Sequence, residues 1–317
     1  MNTVRVIGGS TFDVLAPGLR RLPKVDPAGD EFTDRSLVHL EEPPLLSVGG
    51  NGGNLAFTLA RLGANTQLCT SLGDDPLGRL LVAMFEEAGC ELSLVPPRRT
   101  SFNFVAMDME GRRRSYFYPV TLDTEFSVRL LDRTAFDERD HLALTGYPHP
   151  HPVVLTAWAD RARSAGATVS LDIGPVTARF SLSNLVPLLP HIDVLFCNQR
   201  ELAALDHRRT PSRTADYLSR ELRLGLILKR GREGSEFIGR DERIAVPAIP
   251  ADARVTVGAG DAFDAGFIYA KFTEGRDIEA SMRFASALVA QILDNGRGVS
   301  GVPTATAVHP LPQSDHR

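Results

Sequence analysis

Residues 253–275, ARVTVGAGDAFDAGFIYAKFTEG, place a glycine turn, Gly258-Ala259-Gly260, directly before an acid, Asp261, and then an apolar run with helical spacing. Two glycines in three residues allow positive φ and close approach of the backbone to a ligand. A helix that starts there leaves its first N–H groups unpaired, with roughly half a positive charge at that end. Such a turn stabilises an anion, a phosphate above all, through backbone alone. A carboxylate in the same turn repels a resident phosphate, which leaves two readings of Asp261. Either it caps the helix, which is worth about 1 kcal/mol, or it takes the proton from a hydroxyl that attacks the phosphate. Gly266, inside the following helix at a cost of about 1 kcal/mol against alanine, predicts tight packing of that helix on a neighbour.

Other polar residues fall where a ligand would meet them. The segment 48–78, VGGNGGNLAFTLARLGANTQLCTSLGDDPLG, opens with Gly49, Gly50, Gly52 and Gly53 around Asn51, and Asn54 reads as the start of a helix with Leu55, Leu59 and Leu62 on one face, ended by Gly63. The glycines suit a polar ligand against backbone N–H groups, or an unliganded loop. Asp13 follows the first strand and reads as a turn residue or a ligand. Asn198 and Glu201, three apart at a helix start, share a face, and Lys229-Arg230-Gly231-Arg232-Glu233-Gly234 reads as a turn between strands. His149 and His151, in a proline-rich loop, have a metal-like spacing that a surface loop also produces.

The elements that position these residues alternate. Strands are expected at 4–7, 141–146, 167–172, 192–197 and 224–229, with helices after Asn54, after the Asp75-Pro76 cap, at 153–165, near 182–189, through Leu222, after the 258–261 turn, and after Asp277. That order predicts a parallel sheet with helices on both faces, joined by right-handed crossovers. Ligands collect at the carboxyl ends of such strands, and the suggestive residues lie there, Tyr147 and His149 included. Two stretches depart from the pattern: 15–47, broken by Pro and Gly with 36–40 alternating, and 102–118, with a hairpin centre at Glu110-Gly111. Both read as strands of a small second sheet.

Bulk composition narrows the class. With 317 residues the chain holds one large α/β core and a smaller appendage, and a net charge of −4 argues against nucleic acid or anionic membrane as partner. Cys69, Cys90 and Cys197 have no metal spacing and suit reduced thiols in the cytoplasm. Neither a leader nor a run of ~20 apolar residues is visible, so export and membrane insertion are not expected.

The 253–275 run resembles the second signature, DTxGAGDxFxAGF, of the PfkB, or ribokinase-like, sugar kinase family. The 48–78 run resembles its first signature, and the matches keep the family's order from Val4 to Gly301. The resemblance implies a three-layer α/β/α ribokinase-like parallel sheet core (1–12, 49–97 and 122–317) with a small β-sheet lid (13–48 and 98–121) over the sugar site. It implies transfer of the γ-phosphoryl of ATP to a hydroxyl of a small carbohydrate or sugar acid, with Mg²⁺. Asp261 would be the general base, and the N–H groups of Gly258, Ala259, Gly260 and Asp261 would hold the transferring phosphoryl. Asp13, Gly49, Gly50 and Asn54 would bind the acceptor, with Asn51 and Tyr147 as further contacts. Asn198, Lys229, Gly231, Gly234 and Asn295 would bind the nucleotide, and Glu201 would reach Mg²⁺ through water. A homodimer through the lid is a frequent arrangement among similar proteins.

Three features depart from the family pattern. Val255 and Thr256 stand where the family usually carries Asp-Thr, whose Asp helps bind a monovalent cation in many members, which leaves activation by potassium open. Asp172-Ile173-Gly174-Pro175 replaces D-x-N-x-R. Pro119-Val120-Thr121 follows RRRSYFY, a segment resembling that of 2-keto-3-deoxygluconate kinases, where an Arg meets the substrate carboxylate; ribose, fructose and nucleosides stay open as acceptors. Two other classes fit part of the pattern: a catalytically silent sugar- or nucleotide-binding protein on the same fold, and a Rossmann-type oxidoreductase. The second lacks the G-x-G-x-x-G turn after the first strand.

Overall fold

The computed structural model describes residues 2–19, 40, 42–95, 99–109, 113–118, 130–131, 134–145, 152–174, 181–252 and 255–308. In chain order the strands are β1 (Thr3–Ile7), β2 (Thr11–Leu19), β3 (Leu45–Gly49), β4 (Asn65–Ser71), β5 (Cys90–Val95), β6 (Phe102–Asp108), β7 (Arg113–Tyr118), β8 (His141–Thr145), β9 (Thr168–Asp172), β10 (Val194–Asn198), β11 (Gly225–Lys229), β12 (Ser235–Ile238) and β13 (Arg243–Val246). Nine of them form one sheet in the order β13-β12-β11-β10-β9-β8-β1-β4-β5, and the other four a small sheet, β3-β2-β6-β7. The large sheet is parallel from β5 to β11. It then reverses, because Gly234 takes φ 100° and turns the chain into the antiparallel strands β12 and β13. The sheet is therefore mixed at one edge, not parallel throughout.

Its strands are apolar on both faces, as a sheet covered twice must be. Leu142, Leu144, Leu195, Cys197, Leu226 and Leu228 pack on one side with Leu155, Trp158, Leu202 and Leu218. Those partners come from α3 (Pro152–Ser164), α5 (Gln199–Leu205) and α6 (Pro211–Ser219), flanking the short α4 (Leu182–Leu185). Ala143, Val194, Phe196 and Ile227 face the other way, against Leu55, Leu59, Phe85, Phe267, Met282 and Ala285. These belong to α1 (Asn51–Arg61), α2 (Pro76–Glu87), α7 (Ala259–Ile268) and α8 (Ile278–Asn295).

Asp75 caps α2 by accepting the Gly78 N–H at 2.8 Å, and Asp277 caps α8 by accepting that of Ala280 at 2.7 Å, as the sequence suggests. Gly266 meets α8 closely, for a Cβ there would lie 3.0 Å from Ala285 Cα. The start of α1 differs: it begins at Asn51, not Asn54, because Gly50 (φ 74°) makes the turn and its carbonyl already accepts the Asn54 N–H at 2.8 Å.

The small sheet confirms the hairpin read from 102–118, since β6 and β7 pair antiparallel. Its centre at Glu110-Gly111 lies outside the described residues, as does all of the alternating 36–40 stretch except the exposed Leu40. An apolar cluster of Leu15, Val105 and Met107 with Val255 joins this sheet to the segment before the 258–261 turn. A second link is polar: Ser300 Oγ lies 3.0 Å from Ser47 Oγ.

Candidate active site

The first turn of α7 stands at the carboxyl edge of the large sheet, and its backbone explains the glycines that precede it. Gly258 takes φ 79° as the N-cap, no side chain caps the helix, and Ala259 N–H turns back to Thr256 O at 3.3 Å. The N–H groups of Gly260 and Asp261 are thus presented at the positive end of the helix dipole.

Asp261 does not cap the helix. Its carboxylate accepts Asn51 Nδ2 at 3.0 Å and Asn54 Nδ2 at 2.8 Å, both from the first turn of α1. Burial and the Asp172 carboxylate push its pKa up to about 7, against the opposing pull of Asn54, Lys229 and Asn51. A carboxyl titrating near neutrality and fixed by two amides has the chemistry of a general base.

Behind the turn lies a buried set of charges. Lys229 ends β11, and its ammonium is 2.7 and 3.0 Å from the two oxygens of Asp264 and 3.5 Å from Asp172. Burial alone would lower its pKa, but the carboxylates of Asp172, Asp264 and Glu201 outweigh burial and raise it. Lys229, which the resemblance assigns as a point charge at the nucleotide phosphates, is part of a buried ion cluster within the protein. Asp264 was missed. In sequence it is one polar residue in an apolar helix, and the only hint was that a buried lysine needs counter-ions.

Asn198 and Glu201 form a capping box on α5, with Glu201 Oε2 accepting the Asn198 N–H at 2.8 Å and Asn198 Oδ1 accepting the Glu201 N–H at 3.0 Å. Burial, then Asp172, pushes Glu201 up to about 7. Gly231 (φ 60°) and Gly234 shape the turn between β11 and β12. Asn295 is occupied by its own loop, donating to Gly301 O at 2.7 Å and accepting the Arg297 N–H at 2.9 Å.

Asp13 lies on β2, across a tight junction with Gly49, where any Cβ would meet its carboxylate at 2.0 Å. It accepts Thr11 Oγ1 at 2.5 Å and Asn103 Nδ2 at 3.5 Å. Burial, against these two hydrogen bonds, pushes its pKa up to about 6. Ser10 Oγ, Asn54 Oδ1 and Asn103 Oδ1 are buried without a partner, which is costly unless a ligand supplies one. Asn103, on β6, was another residue the sequence did not single out. Gly50 and Gly52 are needed for packing, since their Cβ atoms would strike the backbone of Gly9 and Gly8. The sequence-predicted contacts Tyr147 and His149, and also His151, lie outside the described residues.

An α/β sheet with a glycine turn at a helix start, a buried carboxyl held by two amides beside it and a small second sheet suits a phosphotransferase that acts on a hydroxyl compound. The chain belongs to the pfkB family of carbohydrate kinases, whose model it matches over residues 28–305. It is 34% identical over 271 residues to the ATP-dependent ribose-1-phosphate kinase of Halopiger xanaduensis, an alignment covering 83% of this chain and 85% of that protein. It is 31% identical over 286 residues to a nucleoside kinase of Methanothermobacter thermautotrophicus, covering 84% and 88%. The ribokinase of Thermotoga maritima has the same fold, with a TM-score of 0.78 at 22% identity over 97% of this chain and 98% of that one. The protein is an ATP-dependent sugar kinase with a ribokinase-like core and lid.

Proposed function

We propose that Asp261 is the general base of this kinase and that the acceptor hydroxyl sits between it and the 258–261 turn. The observation that carries this reading is the Asn51–Asp261–Asn54 arrangement at a helix N-terminus that no side chain caps. Phosphoryl transfer asks a protein mainly for positioning and charge stabilisation. The N–H groups of Gly260 and Asp261 face the transferring phosphoryl, while Asp261 takes the hydroxyl proton. Asp13, the unpartnered Asn54 and Asn103 carbonyl oxygens, and Ser10 Oγ bind and orient the acceptor. Three of these four are acceptors only, so the ligand presents hydroxyl donors. Gly49 leaves room for the Asp13 carboxylate and Gly50 packs on Gly9, which sets both beside the acceptor site, and the sheet β3-β2-β6-β7 shields that site from water.

Among the described residues no three His, Cys, Asp or Glu side chains converge on a metal position. Mg²⁺ is commonly held by substrate phosphates, water and one or two carboxylates. Glu201 fits such a role through water, with one oxygen committed to the Asn198 N–H. A Mg²⁺ held there would supply neutralisation of nucleotide charge. A monovalent cation site at position 255 does not fit, because Val255 is 1% exposed and packed on Leu15, Val105 and Met107.

The acceptor is a small sugar, sugar phosphate, sugar acid or nucleoside; the named relatives favour a ribose-containing one. The test is ADP release across ribose, ribose 1-phosphate, fructose, 2-keto-3-deoxygluconate and nucleosides. Saturable ADP formation with one of them supports the reading. ATP binding without turnover across the whole panel would return the protein to the silent class.

A further inference from the structure

The cation nearest the 258–261 turn among the described residues is Lys229, and what fixes it there is Asp264. We propose that Asp264 is a positioning residue for phosphoryl transfer: it clamps the Lys229 ammonium beneath the turn, so that the charge acts on the phosphoryl group instead of folding back onto Asp172. This rests on reading the turn as the phosphoryl site.

Both oxygens of Asp264 hold Lys229 Nζ, at 2.7 and 3.0 Å, whereas Asp172 stands off at 3.5 Å. The side chains are 2% and 15% exposed for Asp264 and Lys229, so neither reaches a ligand by extending into solvent. A Cβ on Gly260 would lie 3.7 Å from Nζ, which puts the ammonium beside the turn, on the side a Gly260 side chain would take. The Phe196 ring, its centroid 5.9 Å from Nζ, closes another side. Asp264 follows Asp261 by three residues on α7, so the base and the clamp share a helix face and move together. Fold stability alone does not call for this arrangement, because replacing a buried ion pair by apolar residues of similar volume is often neutral or stabilising. Lys229 also opposes the burial that raises Asp261. Releasing the ammonium toward Asp172 would therefore take charge from the phosphoryl group and from the base at once.

The test compares wild type, D264N, D264E, K229M and D264N/K229M with ATP and the acceptor the panel identifies. It measures kcat, both KM values, the pH profile of kcat/KM and Tm. Rates are taken below each variant's Tm and per ATP-binding site, so that unfolded protein is not counted as lost turnover. D264N is expected to lose roughly 10- to 100-fold in kcat, the scale of one misplaced charge, with KM for ATP within about threefold. Its acidic limb should move to higher pH. The double variant should be no slower than K229M, and D264E should recover part of the loss. A D264N enzyme within about twofold of wild type with an unmoved or lowered limb, losses that multiply in the double variant, or a D264N chain with no folded fraction overturns the proposal. K229M at the wild-type rate would overturn it as well, whereas near-normal turnover in D261N would refute the reading of the turn on which the proposal rests.

Discussion

At Asp261, burial and the neighbouring Asp172 raise the carboxyl to about 7, while Asn54, Lys229 and Asn51 hold it down. The base works only when deprotonated, so kcat/KM should climb as pH rises through about 7 and level off above it. Stability runs the other way. For a carboxyl whose folded pKa lies above its unfolded value, the stabilisation is full below about pH 4 and is lost as pH rises through the folded value near 7. The Asp261→Asn protein should therefore melt above wild type at pH 8, by a margin that shrinks toward pH 4.5. A margin independent of pH would show that Asp261 titrates normally in the folded chain. Much of this chemistry was legible in GAGD, since glycine, helix start and acid are contiguous. Asp264 and Asn103 were not: each acquires meaning only from a partner far away in sequence, Lys229 for one and Asp13 for the other.

At the scale of elements, α1 and α7 meet at their first turns, and the meeting depends on backbone that side chains would block. A Cβ at Gly258 would lie 2.8 Å from Val299 Cγ1 and 3.1 Å from Asn54 Nδ2, on a residue with φ 79°. Gly258→Ala should cost about 1–2 kcal/mol in backbone strain. It should also cost up to about 100-fold in kcat, because displacing the Asn54–Asp261 pair misaligns the base. Urea melts and steady-state kinetics together check this; an unchanged kcat would show that the turn tolerates the shift. The sequence placed both helices, and Gly63 after α1, Asp75 before α2 and Asp277 before α8 are local signals of the same kind. It placed the start of α1 three residues late because Gly50 turns the chain only when packed against Gly9.

For the whole molecule, the carboxyl ends of β9, β10 and β11 bring Asp172, Asn198 and Lys229 to one edge, and the small sheet packs against Val255 and Ser300, on either side of the 258–261 turn in the chain. The α/β alternation made that edge readable without coordinates. The small sheet was legible as a lid only through the family resemblance, because its packing depends on β2 and β6 lying side by side and on the Val255 cluster. With an apolar side chain filling position 255, replacing KCl by NaCl at equal ionic strength should change the rate by less than about twofold, against the roughly hundred- to thousandfold loss typical when one charge-stabilising donor is removed from an active site. A strong preference for potassium would place a cation site elsewhere in the chain. The account stands most directly on phosphoryl transfer by Asp261→Asn, measured beside its affinity for ATP. It predicts ATP binding close to wild type and a turnover lower by at least about a thousandfold; near-normal turnover in that variant would contradict it.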